Sequence, residues 1–171
     1  MSWQYSVSWL LNSAVGKWLF SFVLVPALVA APIAFTAEPP SAKNEYHRCA
    51  PDGVAIGGFD LVSYHAAAGP LPGAAQHSVN YQGYDYRFAT ADNLEAFLAR
   101  PEQYLPRYQG WCATTLAMGR LACPDPLNFK IEDGSLLLFE LVGFTNGRTV
   151  WNTDPGGFRL RADQNALRFF E

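Results

Sequence analysis

Hydrophobic positions are spread unevenly along the chain. From Trp18 to Phe35 the run WLFSFVLVPALVAAPIAF carries no charge, Lys17 precedes it, and residues 1–36 contain no Asp or Glu. A cation, an apolar stretch and then small residues is the order of a secretory signal peptide. Ala34-Phe35-Thr36 places small residues at both recognition positions of a cleavage site. Residues 1–36 are therefore expected to be a cleaved signal, or else an uncleaved membrane anchor. A buried core helix would show polar positions at a 3.6-residue period, which this run lacks. Glu38-Pro39-Pro40-Ser41 marks residues 37–51 as a linker, leaving 52–171 as one folded domain.

Beyond the linker the pattern changes. Val54-Ala55-Ile56 predicts a short strand and Gly57-Gly58 a turn, after which Asp60 can cap a brief helix through Leu61, Val62 and Tyr64. His77–Tyr81 and Tyr84–Phe88 flank Gln82-Gly83 and predict a hairpin, with Tyr84, Tyr86 and Phe88 on one face at period two. Thr90 is an N-cap for a helix carrying Leu94, Phe97 and Leu98, and Pro101 ends that helix and begins a shorter one with Tyr104. Cys112 to Met118 predicts a third helix stopped by Gly119. Phe129–Ile131 and Leu136–Leu141 flank Asp133-Gly134, a second hairpin signal. Leu136-Leu137-Leu138-Phe139 is apolar on both faces and so predicts a covered strand. A helix from Pro155, with Phe158, Ala162, Ala166 and Phe169 on one stripe, closes the chain. Strands and helices mix without βαβ alternation. The expected class is α+β, a small antiparallel sheet of hairpins packed with several short helices.

Composition narrows the function. Half of the 171 residues are hydrophobic and 16% are charged, which excludes a disordered chain. A net charge of −3 offers no basic footprint, so nucleic acid is not an expected partner. There is no His-Glu-x-x-His, P-loop, Gly-x-Ser-x-Gly or dinucleotide glycine motif.

The hairpin and following helix resemble the YHS domain, through His77-Ser78, Tyr81, Gly83, Tyr86, Phe88, Thr90, Phe97, Pro101 and Tyr104. From residue 52 to 168 the chain is similar to the secreted bacterial YHS-domain family. The further matches are Gly57-Gly58-Phe59-Asp60, Gly110-Trp111-Cys112-Ala113, and Trp151 with Asp154-Pro155 and Ala162-Asp163-Gln164-Asn165. In metal-associated YHS domains the aromatic strand ends in Phe-Cys-Ser, with a second Cys shortly after. Those two positions are Ala89 and Asn93 here, so no metal and no other cofactor is expected.

The resemblance implies an exported protein, periplasmic or secreted, and membrane-anchored only if the N-terminal segment is retained. It favours a non-catalytic binding or accessory module of the cell envelope, whose partner is an envelope protein or a small molecule. His77, Tyr81, Tyr86 and Trp111 are its candidate binding residues. The alternative is a thiol redox protein acting through Cys112, because that family position is a cysteine and, in some members, a selenocysteine. A thiol at a helix start also feels a dipole that favours the thiolate. A weaker alternative is copper binding by His47 and Cys49 with His65, His77 and Cys123. Cys49 and Cys123 are additional to the family pattern and are expected to pair, leaving Cys112 free; the rival pair is Cys112 with Cys123.

Overall fold

A computed structural model describes residues 49, 50 and 52–170. The expected signal or anchor, most of the linker, and His47 lie outside the described residues. Cys49 and Ala50, at the end of the expected linker, belong to the folded part: Cys49 is disulfide-bonded to Cys123, and Ala50 is buried.

The strands are β1 (Ala74–Tyr81), β2 (Tyr84–Phe88), β3 (Asp125–Glu132), β4 (Ser135–Phe139), β5 (Leu141–Val142) and β6 (Thr145–Asn146). The α-helices are α1 (Ala91–Ala99), α2 (Pro101–Tyr104), α3 (Ala113–Ala117), α4 (Gly147–Trp151) and α5 (Pro155–Phe170). The class is α+β. The strands form three separate antiparallel ribbons, β1–β2, β3–β4 and β5–β6, in place of a single sheet.

Local chemistry accounts for most boundaries. Gln82 and Gly83 both take positive φ, 52° and 88°, as do Asp133 and Gly134, at 50° and 75°. Such pairs make the tight turns that match strand twist, which is why Gly occupies the second position of each. Thr90 Oγ1 accepts the Asn93 backbone N–H at 3.1 Å and opens α1, while Pro101 opens α2. The strand expected at Val54–Ile56 does not form. Val54 makes one isolated bridge to Asp85, and Ala55–Gly58 is a 3-10 turn in which buried Ile56 has φ 52°. The brief helix expected after Asp60 is a single 3-10 turn, Ser63–His65.

β4 explains how the core is divided. Leu136 and Leu138 pack into a cluster with Leu61, Tyr64, Phe88, Phe97 and Trp111. Leu137 and Phe139 pack on the opposite side with Leu116, Trp151, Phe158 and Ala162. Alternation along a strand sends neighbours to opposite faces, and here both faces are covered. On one edge β4 pairs with β3, and Leu138 forms a parallel bridge with Cys112.

Ion pairs fasten the periphery. Arg107 donates from Nε and Nη2 to the two carboxylate oxygens of Asp163, and Tyr108 donates to Oδ1 at 2.9 Å. Burial, followed by the bond to Asp163, holds the Tyr108 phenol well above its ordinary value of 10.0. Glu132 accepts from Lys130, Arg159 and the Trp151 indole, and Arg159 also reaches Asp133 at 2.9 Å. Arg159 therefore joins α5 to the β3–β4 turn.

Candidate functional site

Asp60 is a fully buried carboxylate. Its side chain is 0% exposed, and its carboxylate receives donors from three segments. Oδ1 accepts the backbone N–H groups of Val62 at 2.8 Å and Ser63 at 3.3 Å. Oδ2 accepts the Ala89 backbone N–H at 2.8 Å and the Asn93 side-chain amide at 2.6 Å. The rest of the turn is equally well satisfied. Ser63 Oγ donates to the Asp60 carbonyl at 2.6 Å and accepts from Leu71 N at 2.8 Å, while Asp60 N donates to Leu71 O at 2.9 Å. No cation forms an ion pair with Asp60 among the described residues. Hydrogen bonds alone offset the cost of burying the group. The result ties the Asp60 turn to the end of β2 and to the first turn of α1.

The aromatic residues around this clamp fill space. Phe97 stacks on Tyr86 at 5.6 Å between ring centroids and meets Tyr81 edge-on at 5.5 Å and Phe88 at 5.0 Å. Tyr86 and Trp111 are buried in the same cluster, and Tyr81 is half-buried against it. Of the four candidate binding residues, the structure thus brings three into one core. His77 is half-buried on the irregular stretch of β1 where the register shifts between Ala74 and Ser78. Tyr64 reaches across to β3, donating to Pro126 O at 2.8 Å and meeting the Phe129 ring edge-on at 5.0 Å.

Residues 62–108 match the family model of the YHS domain. That stretch is a YHS domain. Neither the curated proteins nor the solved structures yield a significant match. The matched stretch contains the hairpin β1–β2 with α1 and α2, so Asp60 lies just before the YHS domain and holds two of its elements from outside.

That contact bears on metal chemistry. Ala89 and Asn93 stand at the positions that carry thiolates in metal-associated YHS domains, and both direct an N–H to Asp60. A methyl and an amide supply no soft ligand, so the residues present do not fit a thiolate-held ion. Among the described residues, no group of three or more His, Cys, Asp or Glu side chains could hold a metal ion. Cys49 and Cys123, two members of the mixed copper set, are bonded to each other, with α-carbons 5.3 Å apart. The disulfide leaves neither sulfur as a thiolate.

Cys112 is the free cysteine, and it is 0% exposed. It is the N-cap of α3, donating from its backbone to Ala122 O at 3.0 Å and accepting Leu116 N at 3.0 Å. The helix it caps is five residues long, so the dipole available to a thiolate is small. An attacking thiol needs access as well as ionisation. Burial of Cys112 matches the behaviour of a small core hydrophobe.

His65 is perturbed by its surroundings. Burial lowers its pKa below the ordinary 6.5, its Nε2 is buried without a hydrogen-bond partner, and its ring meets Tyr104 edge-on at 5.6 Å. A lowered folded-state value means that the unfolded chain binds the proton more tightly. The neutral ring's contribution to stability is therefore complete above pH 6.5 and is lost as pH falls from there through the folded-state value. Urea melts at pH 7.5 and 5.5 are expected to show a loss on acidification that is smaller in His65→Gln. An equal loss in the two proteins would remove His65 as its source.

Asn93 and Ala89 were legible in the sequence as missing thiolates and Asp60 as a local cap. Their meeting was not, because it spans 33 residues. The spacing Asp60-x-x-Ser63 signals the turn and is silent about what the second carboxylate oxygen touches.

Proposed function

We propose that this YHS-domain protein is exported and works as a non-catalytic binding or accessory module of the cell envelope. In this reading residues 1–36 are the signal or anchor, 37–51 are chiefly linker, and the remainder is the working domain. The observation that carries it is the Asp60 clamp. The two positions where the module could hold a metal are committed, through Ala89 N and the Asn93 amide, to a buried carboxylate. They serve the scaffold. The Cys49–Cys123 disulfide supports the compartment, since such bonds persist in oxidising surroundings. Among the described residues, no helix is long and apolar enough to cross a membrane, so membrane attachment in this reading rests on the N-terminal run. A partner would meet the surface around His77 and the half-buried edge of Tyr81, because Tyr86 and Trp111 are buried.

The competing reading, a redox thiol at Cys112, makes opposite predictions. Envelope fractions passed over the immobilised protein should give the same captured partner with Cys112→Ser as with the parent chain. The purified protein should retain no stoichiometric copper or zinc after dialysis. Thiol-dependent reduction of a disulfide substrate that disappears in Cys112→Ser would overturn the module reading in favour of redox chemistry. A retained ion lost on changing His77 or His65 would overturn it in favour of metal binding.

A further inference from the structure

The β5–β6 ribbon ends in an apolar point. Leu141 is 51% exposed, Val142 63% and Phe144 111%, so the phenyl ring stands entirely clear of the protein. The strands pair Leu141 with Asn146 and Val142 with Thr145, which leaves Gly143 and Phe144 as the two-residue tip. Tips of this length ordinarily carry Gly, Asn, Asp or Ser, whose backbone and solvation preferences suit them. A Leu-Val-Gly-Phe sequence forgoes that solvation.

The base of the ribbon is held firmly. Asn128 donates from Nδ2 to Glu140 O at 3.0 Å and to Asn146 Oδ1 at 3.1 Å. Gly147 N donates to Glu140 O at 3.0 Å, and Thr114 Oγ1 donates to Gly147 O at 2.7 Å. Asn146 Oδ1 also caps α4 through Arg148 N and Thr149 N. Three apolar side chains are thus presented on a fixed support.

We propose that this tip is a wedge that seats in the interfacial region of a lipid bilayer. Three observations choose a bilayer over a protein. First, Leu141, Val142 and Phe144 offer on the order of a few hundred Å² of apolar surface. A standard protein interface needs about 800 Å² on each partner. Second, the tip is convex, and a deformable interface accepts a protruding ring without a matching cavity. Third, between the flanking Glu140 and Asp154 the one charge is exposed Arg148, whose Nη1 donates to Phe129 O at 3.1 Å and whose positive charge suits anionic headgroups. Where the Trp18–Phe35 run is retained, the wedge adds a second membrane contact to it, and the wedge does not rest on the module reading above. A single small apolar insertion is weak by itself, and a second membrane signal makes it effective.

The test uses the full chain with Thr145→Cys. Cys112 is buried and Cys49 and Cys123 are joined, so the new residue is the one accessible thiol among the described residues and takes an environment-sensitive fluorophore. On vesicles of phosphatidylcholine with phosphatidylglycerol, the probe is expected to shift to shorter wavelength. Nitroxide-bearing acyl chains should then quench it. The same labelled chain with Leu141→Ser and Phe144→Ser keeps its N-terminal run, so it controls for attachment through that segment. Its inserted fraction should fall at least about tenfold, and Phe144→Leu should restore much of the signal. Matching melting curves confirm that the exposed substitutions leave the fold intact. A vesicle-bound chain whose probe stays in water would overturn the proposal, as would equal quenching in the Ser variant. A blue shift without vesicles that grows with protein concentration would overturn it too, by showing that a second copy covers the tip.

Discussion

Asp60→Ala is expected to cost about 3–5 kcal/mol, enough to leave the domain partly or wholly unfolded at 25 °C. The carboxylate accepts four N–H donors from the Asp60 turn, the end of β2 and α1. Removing it leaves Val62 N, Ala89 N and the Asn93 amide, all part-buried, without their acceptor. Each unsatisfied donor costs about 1–3 kcal/mol, against a typical total stability of about 5–15 kcal/mol. Asp60→Asn is expected to be nearly as damaging. An amide has one accepting oxygen, so its NH₂ must face either the Val62 or the Ala89 N–H. Asn93→Ala removes one donor and leaves three, so it should cost about 1 kcal/mol. Urea denaturation of the three variants gives the order. If Asp60→Ala were within about 1 kcal/mol of the parent, the clamp would not be what joins the turn to the hairpin.

Reducing the disulfide, or changing Cys49 and Cys123 together to Ser, is the second large effect. The bond closes a loop of 74 residues that contains the whole matched YHS stretch. In the chain-entropy account, a closure of that length restricts the unfolded chain by about 4 kcal/mol. Most of that loss should appear as a lower urea midpoint, because the folded contacts of Ala50 and Leu121 beside the bond are apolar and can persist. Non-reducing peptide mapping is expected to recover Cys49 with Cys123 and an alkylatable Cys112 only after unfolding. Alkylation of Cys112 in the native state would show that its site opens readily and would restore interest in its thiol. A midpoint unchanged by the double substitution would mean that the unfolded chain is already compact around these residues.

Short-range physical chemistry made much of this fold readable from sequence. Gln82-Gly83 and Asp133-Gly134 set two hairpins because tight turns demand positive φ at both central residues. Thr90 and Pro101 marked helix starts, since capping and the fixed φ of proline act within one turn. The doubly apolar Leu136–Phe139 announced a strand covered on two sides, and β4 divides the core in that manner. Short signals failed where apolar residues were too few to show a period. Val54–Ile56 became a bridge and a turn, while β5–β6 and the helix carrying buried Trp151 gave no sequence signal strong enough to read.

Tertiary structure alone decided what the chemically suggestive residues do. Cys112 carries the same thiol in any fold, and tertiary packing, including its bridge to Leu138 of β4, removes it from solvent. Tyr86 and Trp111 could line a cleft or fill a core, and the position of Phe97 and its neighbours makes them core. Val62, not Asp60, is the N-cap of the Ser63–His65 turn; the local role of Asp60 is a side-chain turn, expressed by Oδ1 on Val62 N and Ser63 N. Asp60 as a clamp belongs to Oδ2, whose donors arrive from 29 and 33 residues away. Hydrogen-bond geometry is short-ranged in space, whereas sequence patterns report only what is near along the chain. A contact formed by chain closure therefore leaves its two ends in the sequence without revealing that they meet.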